Sequence, residues 1–375
     1  MKQRIIGKVI IFFSIFIYLC LSLAAQQREQ AGIQLAILLD TSNSMDGLIN
    51  QAKSQLWKIV NELSLAKRNG RTPSLEVALY EYGNDGLSAR TGHIRQVVEL
   101  TTDLDRISEQ LFALSTNGGH EYCGQVIHTA INKLDWSVEN DHLKIIYIAG
   151  NEPFTQGTID FQKACRYSIR NGIIVNTIFC GDYQEGIRTF WKKGADLADG
   201  TYININQNQI VREIPTPYDD EILQLNDELN TTYVAYGVGG AEKKQRQIKQ
   251  DKNAKKMSKS VMVQRSAAKA SSHYANESWD LADAYERDEE ALERVPPNQL
   301  PEEMQNMNSK EKEKYVKNLI TKRETLQKKI KELNTKRNNF IQKQMKKQNS
   351  ENTLDSAIIS TLHQQAKNRN FTFEK

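Results

Sequence analysis

The chain has 375 residues, 39% of them hydrophobic and 26% charged, enough for one core-bearing domain of ordinary size with further segments. Its formal net charge is only +4, which excludes the overall basic excess that marks a nucleic-acid binder. The charge is unevenly placed, and the organisation of the chain follows from where it lies.

Lys2, Arg4 and Lys8 open the chain, and residues 9–25 carry no charge at all. The apolar run ends in Ser22-Leu23-Ala24 and Leu23-Ala24-Ala25, whose small residues suit a signal peptidase. Residues 1–25 therefore read as a signal peptide, which places the mature protein in the periplasm or outside the cell. The alternative is an uncleaved N-terminal anchor, although the run is slightly short of the roughly 20 residues that a span needs. Tyr18 and Leu19 before Cys20 stand where a lipoprotein signal wants small residues. Cleavage removes three positive charges, taking the net charge from +4 to +1. Cys123, Cys165 and Cys180 remain. One disulfide with a free thiol suits an oxidising compartment, three buried thiols are the other reading, and the spacing selects no pair.

From residue 33 the chain alternates strand and helix. IQLAILL at 33–39 is a continuous apolar run, as a fully buried parallel strand requires. The spacing of Leu48, Ile49, Ala52, Leu56, Ile59, Val60 and Leu63 predicts an amphipathic helix over about 46–67. Strands are expected at 75–83 and, as an edge strand, at 94–100. Helices are expected at 102–114, capped by Thr102 and Asp103, and at 125–134 after the Gly118-Gly119 break. A buried strand at 143–150, a helix at 158–170 ending at Asn171-Gly172, and a strand at 173–181 follow. Helix over 184–198, the short strand TYINI and a helix over 207–230 complete the region. Such alternation predicts an α/β fold, a doubly wound and mostly parallel sheet with helices on both faces. A sheet of this kind binds ligands at the carboxyl ends of its strands, near the reversal of strand order.

The residues after the first strand define the ligand class. They read Asp40-Thr41-Ser42-Asn43-Ser44-Met45, with no glycine-rich dinucleotide turn and no phosphate loop. An apolar strand ending in Asp-x-Ser-x-Ser, followed by a long amphipathic helix, resembles the metal-ion-dependent adhesion site of von Willebrand factor type A (VWA) domains. The resemblance extends over about 33–235. It implies metal-site roles for Asp40, Ser42 and Ser44, an open coordination position, and a protein partner that fills it with a carboxylate. The donor chemistry agrees: a carboxylate and two hydroxyls suit a hard cation, Mg²⁺ or Mn²⁺, with Ca²⁺ as a further candidate. The bland reading is that the three residues cap the next helix.

Two positions depart from the family pattern. The threonine expected after Gly118-Gly119 is replaced by His120-Glu121, and the aspartate expected after the fourth strand is Gly150. Glu121 and Glu152 are the candidate replacement ligands, and a degenerate site that has lost metal is the alternative. His120, Cys123 and His128 suggest zinc, but their spacing fits no standard closed site. No nucleophile elbow or catalytic triad is visible, so no enzyme is predicted.

Composition changes after Gly239-Gly240. Residues 241–265 hold nine Lys or Arg against two acidic residues, which predicts a basic linker over 241–275. Its candidate contacts are an acidic partner or an anionic membrane surface. Residues 276–375 are expected to form a helical extension, similar to those on some exported bacterial VWA proteins. Leu319, Leu326, Leu333 and Phe340 recur every seven residues, with Val316 and Ile330 on the same seam and Arg323 and Arg337 interrupting it. Either a self-associating coiled coil or packing on Leu354, Ile358, Ile359 and Leu362 accounts for this pattern. Three functions compete: an envelope protein-binding module with a metal loop, a metal-free envelope scaffold acting through its helical tail, and, least supported, a zinc hydrolase using His120 and Glu121.

Overall fold

A computed structural model describes residues 31–43, 45–205, 213–347 and 354–373. The expected signal peptide and the expected ligand Ser44 lie outside the described residues. Strand β1 (Gly32–Asp40) is buried almost throughout, as an unbroken run of Leu and Ile must be when both faces are covered. It is followed by α1 (Asp46–Leu63), the two-residue β2 (Ala66–Lys67), β3 (Ser74–Tyr82) and β4 (Ile94–Thr101). Next come α2 (Leu104–Ala113), α3 (Cys123–Lys133), β5 (Leu143–Gly150), α4 (Phe161–Arg170) and β6 (Ile173–Cys180). The short α5 (Tyr183–Arg188) and α6 (Trp191–Asp196) lead to β7 (Tyr202–Ile205).

Six of these strands form one sheet in the order β4-β3-β1-β5-β6-β7. All neighbours are parallel except β4, which runs antiparallel to β3 at the edge. The chain leaves β1 towards β3 on one side and later returns to β5 on the other. The reversal of strand order therefore lies at β1, and Asp40 ends that strand. One face of the sheet is covered by α3, α4 and α6, with Tyr80, Ile146 and Val175 packed on Val126, Ile127 and Phe161. The single helix expected over 184–198 is broken at Phe190, whose φ of 72° is left-handed. The last helix of this region starts at Asp219, later than expected, and residues 206–212 lie outside the described residues.

The rest of the chain is helical: α7 (Asp219–Asn230), α8 (Gly240–Met257), α9 (Lys259–Lys269), α10 (Leu281–Arg287), the 39-residue α11 (Ser309–Lys347) and α12 (Leu354–Asn368), then the short β8 (Thr372–Phe373). It returns to the sheet. Asn176 of β6 and Gln365 of α12 exchange two buried hydrogen bonds of 3.0 and 2.7 Å. β8 pairs antiparallel with β2. Gly32–Lys375 accordingly forms one compact unit.

The segment expected as a basic linker is instead the helical pair α8–α9. Its inward face is polar, with Gln247, Gln250 and Asp251 buried beside Ala254, so a low apolar content did not mean a solvated segment. Arg265 is fully buried. It donates to Asp105 of α2 at 2.6 Å and to Asp251 at 2.6 Å, and its guanidinium lies 4.7 Å from the centre of the Trp57 ring of α1. Tyr274 donates to the other Asp105 oxygen at 2.5 Å, and Lys269 donates to Asp251 at 3.0 Å.

The heptad seam is also filled within the chain. Val316, Leu326 and Ile330 are buried, and α11 packs on α7, α9 and α10. The two arginines that interrupt the apolar repeat are its anchors. Arg323 donates to Asp280 at 2.6 Å and to the Thr232 carbonyl at 2.5 Å, and also pairs with Asp283. Arg337 donates to Asp219 at 2.9 Å. Cys123, Cys165 and Cys180 are free and buried, so no pair of them is bridged. Among the described residues no helix is long and apolar enough to cross a membrane.

Candidate metal centre

The loop after β1 is held by backbone hydrogen bonds to two other segments. Thr41 N–H donates to the Tyr82 carbonyl at 2.8 Å, which extends the β1–β3 ladder by one residue. Asn117 N–H donates to Thr41 O, and Asn43 N–H donates to Gly118 O, both at 3.0 Å. The segment that precedes α3 is thereby laced to the end of β1, and its side chains reach Asp40.

Asp40 is fully buried, and Glu121 is 2% exposed. One oxygen of Asp40 accepts the Ser42 N–H at 2.7 Å. The two carboxyl groups are close enough to share a proton, yet Asp40 Oδ2 and Glu121 Oε2 find no donor among the described residues. Burial pushes the Asp40 carboxyl up to about 6. Burial and then the Asp40 charge push Glu121 up to about 9. The nearby charge of Glu152 raises both. Two buried carboxyl groups, each with an oxygen that has no donor, carry an uncompensated cost that either a proton or a cation relieves. An all-oxygen donor set suits a hard divalent cation, so the residues present fit such an ion. Glu152 is half-buried; its carboxylate accepts from Gln156 Nε2 at 3.2 Å and its carbonyl accepts from Trp191 Nε1 at 2.8 Å.

Residues 34–195 match the von Willebrand factor type A domain. An additional C-terminal helical region follows it. Solved structures with a similar fold include the conserved hypothetical protein BatB from Bacteroides thetaiotaomicron, at 15% identity over 46% of this chain and 90% of that one, with a TM-score of 0.36. The VWA domain of SpRpn10 is 14% identical over 47% of this chain and 88% of that chain, with a TM-score of 0.35. A von Willebrand factor type A protein from Catenulispora acidiphila is 18% identical over 47% and 39%, with a TM-score of 0.35. A comparison with curated protein sequences finds no match.

Within the matched region the replacements at the two departing positions have separate causes. His120 and Glu121 are consecutive in an extended segment, so their side chains point in opposite directions. Glu121 turns in towards Asp40, and His120 turns out to hydrogen bond Asp85 at 2.6 Å. Gly150 has no room for a side chain: a Cβ there would lie 2.6 Å from Tyr82 Oη and 3.1 Å from Trp191. Tyr82 itself donates to Ala149 O at 3.0 Å. Its hydroxyl occupies the space that a side chain at position 150 would need.

The zinc grouping of His120, Cys123 and His128 does not form. Cys123 is buried with its sulfur 3.8 Å from Tyr82 Oη. His128 is exposed and lies against Tyr167, with ring centres 5.8 Å apart. The hydrolase pairing of His120 with Glu121 fails for the reason just given. A different cluster, absent from the sequence reading, stands beside the VWA loop: Asp85, His93 and His120 each bring one ligand atom to within 4.8 Å of the others.

Gly83 is required by two independent features. Its φ is +80°, and a Cβ would meet Asp40 Oδ1 at 2.6 Å and Glu121 Cγ at 2.9 Å. Gly83→Ala is expected to destabilise the protein by about 1–3 kcal/mol through left-handed strain plus displacement of the carboxyl pair. Urea denaturation measures it, and a loss below about 0.5 kcal/mol would show that the loop relaxes freely.

Proposed function

We propose that the chain is an exported protein-binding module whose VWA domain holds Mg²⁺ or Mn²⁺ with Asp40, Ser42, Ser44 and Glu121, with Glu152 as a further acidic ligand. A protein partner offers a carboxylate to the open position on the cation. The carrying observation is the pair of buried, donorless carboxyl oxygens of Asp40 and Glu121 at the carboxyl end of β1. Ser42 and Ser44 are neutral donors and cannot balance a divalent charge, so the second carboxylate matters. Export rests on the basic start and uncharged run of residues 2–25.

A metal-free scaffold is the second reading. It is favoured by the raised pKa of Glu121, since a proton shared with Asp40 satisfies the pair without a cation. Calorimetric titration of the full chain with Mg²⁺ and Mn²⁺ separates the two. Asp40→Ala is expected to abolish binding while the fold persists, and Glu121→Gln is expected to weaken it more than Glu152→Gln. Capture of a partner from envelope extract should then be lost on adding chelator. Equal cation affinity in Asp40→Ala and the parent chain would remove the metal site and leave the scaffold.

A further inference from the structure

Asp85, His93 and His120 come from three different segments that meet beside the VWA loop. Asp85 lies in the turn after β3, and its N–H donates to the Asn117 carbonyl at 3.1 Å. His93 immediately precedes β4 in a left-handed conformation, with φ of 55°, and its N–H donates to the Ser88 carbonyl. His120 forms an isolated antiparallel bridge with Gly83. The side chains are held as well as the backbones. Asp85 is seated against Gly118, where a Cβ would collide with it at 2.1 Å. The two imidazoles lie 4.9 Å apart and nearly parallel, and the Tyr122 ring abuts both edge-on at 6.2 and 6.3 Å.

His93 Nδ1 is shielded from solvent and has no hydrogen-bond partner among the described residues, at 3.9 Å from Asp85 Oδ1. A neutral or protonated imidazole nitrogen in such a place normally finds a partner. His120 Nδ1 reaches the same Asp85 oxygen at 2.6 Å. The carboxylate thus faces two ring nitrogens, of which it satisfies one.

We propose that Asp85, His93 and His120 form a second metal site, selective for zinc or a related borderline transition ion and distinct from the hard-cation site at Asp40. Two imidazoles and a carboxylate are a donor set that zinc accepts and that Mg²⁺ and Ca²⁺ do not favour. Bond lengths near 2.0–2.2 Å in a tetrahedron set ligand atoms about 3.3–3.5 Å apart. The ligand atoms lie within 4.8 Å of one another, and a bound ion would draw them to that spacing by turning the two imidazole rings. The near-parallel rings must tilt towards each other, since the ion lies in the plane of each imidazole that binds it. Three protein ligands leave the fourth position for water or for an incoming donor. Glu121 and His120 are adjacent in sequence and face opposite ways, so the loop would present a hard-cation site and a borderline-ion site side by side. This inference stands without the Asp40 site being metal-loaded.

The test uses the full chain without a histidine tag. Zn²⁺ titration followed by calorimetry in saturating Mg²⁺, which occupies the Asp40 site, is expected to give one tightly bound ion per chain, and Co²⁺ is expected to give the visible absorption of an imidazole-ligated site. His120→Ala and His93→Asn, the latter retaining a residue tolerated in the left-handed region, should each weaken Zn²⁺ binding at least about tenfold. Asp40→Ala should leave Zn²⁺ affinity unchanged. The proposal is overturned if the parent chain takes up neither ion, if both histidine variants bind as it does, or if Asp40→Ala is the variant that loses zinc.

Discussion

Arg265→Ala is expected to destabilise the whole of Gly32–Lys375 by about 3–5 kcal/mol, the cost of stranding buried carboxylates without their cation. The guanidinium bridges Asp105 of α2 to Asp251 of the helical region and rests on Trp57. Its removal leaves two carboxylates, 4% and 8% exposed, short of a partner. Lys249→Ala is the control. That lysine is 64% exposed and pairs with Glu109 at 3.4 Å, where the loss should be about 0–1 kcal/mol. Urea denaturation followed by tryptophan fluorescence measures both. A change below about 1 kcal/mol in Arg265→Ala would mean that the clamp does not form and that 241–265 is a solvated linker after all.

The same clamp carries a pH signature. Burial alone would raise the Asp251 pKa, but the charges of Lys269 and Arg265 outweigh it and hold the carboxyl below the usual range. A depressed folded-state pKa contributes stability above the unfolded value, about 3.9, and loses it as the pH falls through the folded one. The helical region is therefore expected to remain docked at mildly acidic pH and to release only in strong acid.

At the candidate metal centre the sign is opposite, and this gives the second large effect. The Asp40 and Glu121 pKa values are both raised by burial. Folding therefore favours their protonated forms, and stability is lost as pH rises from about 4 through the folded-state values. Asp40→Asn keeps an oxygen for the Ser42 N–H and removes one charge from the pair. In metal-free buffer near pH 8 it is expected to be more stable than the parent chain by on the order of 2 kcal/mol. Added Mg²⁺ should stabilise the parent chain by RT ln(1 + [L]/Kd) and leave Asp40→Asn unmoved. Thermal unfolding across pH 5–9, with and without Mg²⁺, reads both. Identical pH slopes in the two proteins would show that Asp40 and Glu121 do not share a buried site.

The parallel core is legible in the residues alone, since β1, β5 and β6 are largely apolar runs that have no stable place except a sheet covered on both faces. The sequence also determined where the ligand loop begins, because Asp40 follows directly on the buried β1 and needs no distant partner to be placed. Tertiary structure alone decided which of His120 and Glu121 turns inward, because both fit the same extended segment and only the lacing of 117–118 to 41–43 sets the direction. It decided that Gly150 stays small, because Tyr82 from another strand fills the space. It brought Asp85, His93 and His120 together from segments with no common pattern. The same limit explains the misread charges. Periodicity reports apolar burial, so Arg323 and Arg337 looked like breaks in a seam and 241–265 looked like solvated chain. A buried charge is legible only with its partner in view, and Asp105 stands 160 positions from the Arg265 that neutralises it.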